Sequence, residues 1–153
     1  MSHFRIFVAN SPLRIPILAL TICLLFQSIN SVAAQLVEVR AGGMTYRVEV
    51  ARTSAQRRQG LMHRSSLARQ QGMLLVYRKT GDHRIWMKNM RIALRVYWID
   101  EDARVIEMQR LEPCQQPPCP VYFASRPSRY VLELSDHDHP LKAGDRVDGL
   151  KEL

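Results

Sequence analysis

A mainly β domain, a single compact antiparallel barrel or sandwich with one short helix, is what this sequence predicts, and three features predict it. Apolar residues recur with period two over most of the chain, the pattern of strands with one wet face. Short turn-forming clusters punctuate these runs. Only one stretch carries helix-capping residues at the right spacing. The chain has 153 residues, 46% hydrophobic and 24% charged, with 7 Gly, 8 Pro and 3 Cys. Those values exclude a collagen-like repeat, a disulfide-dense mini-protein and a disordered polyampholyte, because enough apolar side chains are present to offset the entropy lost on folding. They name no activity.

Residues 1–34 differ in kind from the rest and predict a secretory signal peptide. They hold Arg5 and Arg14, no Asp or Glu, and an uncharged run from Ile17 to Phe26 that is too short to span a bilayer. Ser31-Val32-Ala33-Ala34 then supplies the small residues of a cleavage site after Ala33 or Ala34. The mature domain is therefore expected over residues 35–153, exported to the periplasm or beyond, with no stable membrane insertion. Cleavage takes away two of the 22 basic residues and none of the 14 acidic ones, leaving a net charge of +6. Cys23 leaves with the signal, and Cys114 and Cys119 are expected to pair as a disulfide in an oxidising compartment. A thioredoxin-type motif has two intervening residues and a structural zinc site needs four ligands, so the redox and zinc readings of this pair are weaker.

Along the mature chain, Leu36 to Arg40 and Thr45 to Val50 alternate around Ala41-Gly42-Gly43 and read as a hairpin, with Tyr46, Val48 and Val50 on its apolar face. Thr53 and Gln56 stand at capping-box spacing, and Gly60 suits a left-handed C-terminal position, so one or two helical turns fit between them. Gly72 to Tyr77 reads as a strand buried on both faces. His83 to Lys88, Leu94 to Asp100 and Val105 to Leu111 follow as strands of a meander. Pro113 to Pro120 holds four prolines in eight positions, cannot sit inside a sheet, and is expected to be a loop stapled by its two cysteines. Strands return at Arg129 to Leu134 and near Arg146 to Leu150, after a turn at Ala143-Gly144-Asp145.

The order of short motifs is itself informative: Gly60-Leu61-Met62, Gly72-Met73-Leu74, Trp86-Met87-Lys88-Asn89, a strand ending in Ile99-Asp100, Tyr130-Val131-Leu132-Glu133 and Gly144-Asp145. This set resembles the domain-of-unknown-function 192 family over about residues 48 to 148. The resemblance implies a compact mainly β domain, often exported. It implies no reaction and no cofactor. Two positions depart from the family: Met90 stands where a Thr is usual, and Arg95, in Ile92-Ala93-Leu94-Arg95, stands where an Asp usually follows a Pro-Leu pair. A function resting on that carboxylate does not carry over.

Several constellations are candidates for chemistry. Trp86, Lys88 and Asn89 combine an indole, an ammonium and an amide as the wall of a small-ligand cleft would, with Trp86 and Lys88 on one strand face and Met87 on the other. The plainer alternative is a cation-π contact at a barrel mouth. Asp136-His137-Asp138-His139, preceded by Glu133, gathers metal-binding groups, with His137 and His139 as candidate ligands. The plainer alternative is a solvated loop before Pro140. Met87 and Met90 have the spacing of a thioether copper site, but on a strand they would point to opposite faces. Arg57, Arg58, Arg64 and Arg69 form a basic group around the short helix, suited to anionic envelope polymers or lipid head groups, and export argues against nucleic acid.

The favoured expectation is a monomeric envelope module whose cleft beside Trp86 and Lys88 holds a small molecule or an anionic polymer. The alternatives are a metal-assisted or hydrolytic enzyme built on Lys88, Glu133, His137 and His139, and an interaction protein using the basic face. The cofactor, like the ligand, is left open by these residues.

Overall fold

The computed structural model describes residues 35–138, 140–151 and 153. The expected signal segment and His139 lie outside the described residues. The fold is mainly β, as expected, with strands β1 (Leu36–Ala41), β2 (Met44–Ala51), β3 (Gln71–Gly81), β4 (Ile85–Trp86), β5 (Leu94–Ile99), β6 (Val105–Leu111), β7 (Val121–Tyr122) and β8 (Ser128–Ser135), and one helix α1 (Ser54–Gln59).

The hairpin of β1 and β2 pairs Ala41 with Met44 across Gly42 and Gly43, both at positive φ. The capping box is present as the sequence predicts. Gln56 N–H donates to Thr53 Oγ1 at 3.2 Å, and Gln56 Oε1 accepts from Thr53 N at 2.9 Å. Gly60 ends the helix at φ 47°.

β5 and β6 pair antiparallel as in the expected meander, but the sheet as a whole departs from the all-antiparallel expectation. The large sheet runs β1-β2-β3-β8-β5-β6, and β2 and β3 are parallel. The physical reason is the long connection carrying α1, since parallel neighbours need such a crossover and a tight hairpin turn cannot provide it. β8, nearly the last strand in sequence, inserts between β3 and β5. Its residues from Tyr130 to Ser135 are all buried, which is the profile of a central strand covered on both faces. The sheet is open and mixed. At one end the segment near Val147 spans its two sides: Asp148 exchanges two backbone hydrogen bonds with Arg40, and Val147 N–H donates to Ala103 O at 2.8 Å. Isolated bridges therefore stand where a terminal strand is expected.

Alternation along the strands builds two apolar clusters. Val39, Tyr46, Val48, Tyr97, Leu132 and Leu134 belong to one, and Leu61, Met87, Leu94, Val96, Trp98 and Val131 to the other. The second cluster adjoins α1, the segment after it, and the small β4–β7 pair. Only Ile85 and Trp86 of the expected strand 83–88 are in strand form, paired with Tyr122 and Val121. The proline-rich loop docks here through Cys114 N–H to Met87 O at 3.1 Å and carries the Cys114–Cys119 disulfide, with Cα atoms 5.7 Å apart.

Candidate functional site

A cavity of about 440 Å³ opens between α1, the β4 region and the face of the large sheet bearing the second cluster. Its walls are apolar where Leu61, Met87, Met90 and Leu94 face it. Trp86, 42% exposed, also lines it, and Arg58 and Arg84 are exposed lining residues. Glu133 is the carboxyl group among its lining residues.

The placement of Glu133 follows from register. On β8, Leu132 and Leu134 point into the first cluster, so Glu133 must point into the second, opposite Met73 of β3 and Val96 of β5. It is 6% exposed, and its Oε2 has no hydrogen-bond partner among the described residues. Burial pushes its pKa up from 4.5 to about 7, and the Arg64 guanidinium opposes the shift. That opposition is incomplete because Arg64 is committed to Glu49 by hydrogen bonds of 2.6 and 2.8 Å. Two glycines border this arrangement, and of the two Gly72 is the one whose missing side chain it requires. A Cβ on Gly60, which also has positive φ, would stand 3.6 Å from Glu133 Oε2, and a Cβ on Gly72 would run into the Glu133 carbonyl oxygen.

Arg57 is bound differently from Arg58 and Arg84. Its Nη1 donates to the carbonyls of Arg52 at 2.5 Å and Val76 at 3.0 Å, and its guanidinium lies 4.6 Å from the centre of the Tyr77 ring. Tyr77 in turn stacks on His83 at 3.4 Å, and burial raises its hydroxyl to about 12 while lowering the His83 pKa. Arg57 and Tyr77 thus form a fixed side of the cavity. No ion pair among the described residues involves Arg58 or Arg84.

The three residues expected at a ligand cleft divide between two hollows. Trp86 lines the main cavity and also an adjoining hollow of about 420 Å³, where Lys88 and Asn89 lie. Lys88 Nζ sits 5.4 Å from the Trp86 ring centre, the cation-π contact considered as the plainer reading. Asn89 adopts φ 59°, its carbonyl accepts from His63 N–H at 3.0 Å, and its amide approaches Met62 Sδ at 3.9 Å. These contacts give it a role in holding the loop. Met87 and Met90 do not point to opposite faces, because the strand ends at Trp86; both are buried in one cluster and line the cavity.

The described residues of the enzyme alternative, Lys88, Glu133 and His137, are not brought together. Glu133 lines the main cavity, Lys88 the adjoining hollow, and His137 a third one with Ser65, Leu67 and Ile92. Asp136 is held by Arg110 at 2.7 and 2.8 Å, which keeps its carboxyl below the usual range, and its carbonyl accepts from Arg95 Nε at 3.1 Å. Arg95 therefore anchors the β8 exit loop. Asp138 Oδ1 accepts from Gln70 N–H at 2.8 Å. Among the described residues no three His, Cys, Asp or Glu converge as metal ligands, and no helix is long and apolar enough to cross a membrane.

Fold and site together define a small mainly β protein with one buried carboxyl group beside an apolar cavity. The family model of DUF192, described as "Uncharacterized ACR", matches residues 37–149, and the chain belongs to that family. Two solved structures are similar to it. One, a proposed transcription regulator from Sinorhizobium meliloti, is 28% identical with a TM-score of 0.67, covering 76% of this chain and 95% of its own. The other, a protein of unknown function from Novosphingobium aromaticivorans, is 28% identical with a TM-score of 0.68, covering 78% of this chain and 89% of its own. Among curated proteins none matches this chain.

Proposed function

We propose that this chain is an exported, non-catalytic module of the cell envelope that binds a small organic molecule in the cavity beside Trp86. The observation that carries the reading is the convergence of three separate family-bearing motifs on one hollow: Gly60-Leu61-Met62, Trp86-Met87 and Glu133 all line it. Its volume of about 440 Å³ lies in the range of small-ligand sites, and an apolar wall with few polar groups is their usual chemistry. By contrast, Asp100 and Asp145 of the remaining motifs close turns, accepting backbone N–H bonds from Arg104 and Lys142, and serve the fold. A DNA-contacting role is not adopted, because α1 is under two turns long and its arginines line the cavity.

A second reading, an enzyme that moves a proton, is favoured by one observation: a buried carboxyl with its pKa raised to about 7 suits general acid–base work. Among the described residues no nucleophile or second titrating group hydrogen-bonds to Glu133 Oε2, so binding is preferred.

The test is a fluorescence titration with anilinonaphthalene sulfonate, alongside the mass of the protein recovered from the exported fraction. Saturable binding to the wild type, about tenfold weaker in Trp86→Ala with the melting temperature unchanged, is expected, together with a mass that lacks residues 1–34. Equal binding by both forms would place the probe elsewhere and sink the cavity reading. A full-length mass would sink the export reading.

A further inference from the structure

Three properties of the cavity constrain what fills it. At the mouth, Arg58 and Arg84 are exposed and take part in no ion pair among the described residues, while Lys88 lies in the adjoining hollow, 5.4 Å from the Trp86 ring centre. These cations favour an anionic group on the ligand and repel an ammonium. In the middle, Leu61, Met87, Met90 and Leu94 require an apolar body. Deeper in, Glu133 Oε2 is buried and without a hydrogen-bond partner among the described residues. A wholly apolar ligand would cover this atom and leave it unsatisfied, which is the situation in which a site discriminates most strongly by a single polar group.

We infer, on the ligand-binding reading above, that the cavity takes a small amphipathic acid with a hydroxyl group at its far end. The acid lies at Arg58 and Arg84, the apolar body lies along Leu61, Met87, Met90 and Leu94, and the hydroxyl meets Glu133. A hydroxyl suits this position better than an ammonium or a carbonyl. Burial makes the Glu133 carboxyl ready to hold a proton near neutral pH, opposed by Arg64, with Arg57 and Tyr77 also lining the cavity. A hydroxyl donates to the ionised carboxylate and accepts from the neutral acid, whereas a carbonyl pairs only with the neutral form. An ammonium pairs with the ionised form but must pass the arginines. Glu133 is then the residue that sets specificity, and the two exposed arginines select the charge.

Four matched aromatic probes separate these contributions: para-hydroxyphenylpropanoate, phenylpropanoate without the hydroxyl, para-propylphenol without the acid, and tyramine with an amine in its place. Each competes with anilinonaphthalene sulfonate on the full mature chain. The hydroxy acid is expected to bind tightest. Loss of the hydroxyl or of the acid should each weaken binding about tenfold, and tyramine should bind weakest. In Glu133→Leu the preference for the hydroxyl should disappear, and in Arg58→Ala/Arg84→Ala the preference for the acid should disappear while the hydroxyl preference remains. If the naphthalene probe binds but the four probes fail to compete, show no such order, or keep the hydroxyl preference in Glu133→Leu, the inference falls and the binding reading stands. If the naphthalene probe does not bind either, both fall. Should either variant fail to fold, the four wild-type affinities decide alone, and tyramine binding as well as the hydroxy acid overturns the inference.

Discussion

Replacing Glu133 by Gln should stabilise the protein at alkaline pH and leave it nearly unchanged in acid. The folded protein raises the pKa of this carboxyl from 4.5 to about 7, so the folded chain holds a proton that the unfolded chain releases. Below about pH 4.5 both states carry the proton and the group imposes no ionisation cost. Between about pH 4.5 and 7 the unfolded state binds fewer protons than the folded one, so stability falls as pH rises, and above about pH 7 the full cost is present. A shift of this size corresponds to roughly 3 kcal/mol. Gln is neutral throughout and similar in shape, so the variant escapes the cost. In a chain of this size that is a melting temperature roughly 10 °C above wild type at pH 8. Urea unfolding of both proteins at intervals from pH 4.5 to 8 measures the difference. Arg64 is the cation that opposes the shift, so Arg64→Met in the wild-type background should move the fall in stability to higher pH. Parallel stability curves for wild type and Glu133→Gln across this range would refute the reasoning, since they would mean that Glu133 ionises as freely in the folded protein as in the unfolded chain.

Gly72→Ala should be severely destabilising, by about 3 kcal/mol or more, because its Cβ would meet the Glu133 carbonyl oxygen and lie 2.8 Å from Leu134 Cδ2 at the β3–β8 pairing. A urea midpoint unchanged from wild type would contradict the close approach of these strands. Reduction of Cys114–Cys119 should lower stability by about 2 kcal/mol, the chain-entropy value for so short a loop, without unfolding the domain. Thermal melts with and without dithiothreitol measure this, and collapse of the fold on reduction would show that the loop carries more than its own closure.

The sequence exposes local structure where one residue pair or one alternation controls it. The β1–β2 hairpin, the Thr53–Gln56 capping box and the buried run of β3 are observed as expected, and Gly60 ends the helix at positive φ. The Cys114–Cys119 pairing is also present in the structure. Order in the sheet is not legible in this way. Period two says which side chains share a face of a strand, but not which strand lies beside it, and the apolar run of β8 fits a terminal meander strand as well as a central one. The candidate site was partly visible. Trp86 stands out as an indole beside an ammonium and an amide, and it does line the cavity. Glu133 stands in the sequence as the end of the motif Tyr130–Glu133 and as one acid near the Asp136–His139 cluster, with whose described residues it shares no hollow.

By itself the sequence determined the mainly β class, the position of the short helix, the motif order that marks the family, and the alternation that sets Glu133 against its neighbours Leu132 and Leu134. Only the tertiary structure decided that β2 and β3 run parallel, that β8 enters between β3 and β5, and that Gly60, Trp86 and Glu133 meet around one cavity. The reason is physical. Hydrogen bonding within a turn and alternation along a strand act over a few residues, whereas burial depends on what distant segments cover. An acidic side chain acquires its raised pKa and its unpaired oxygen only when strands remote in sequence close over it.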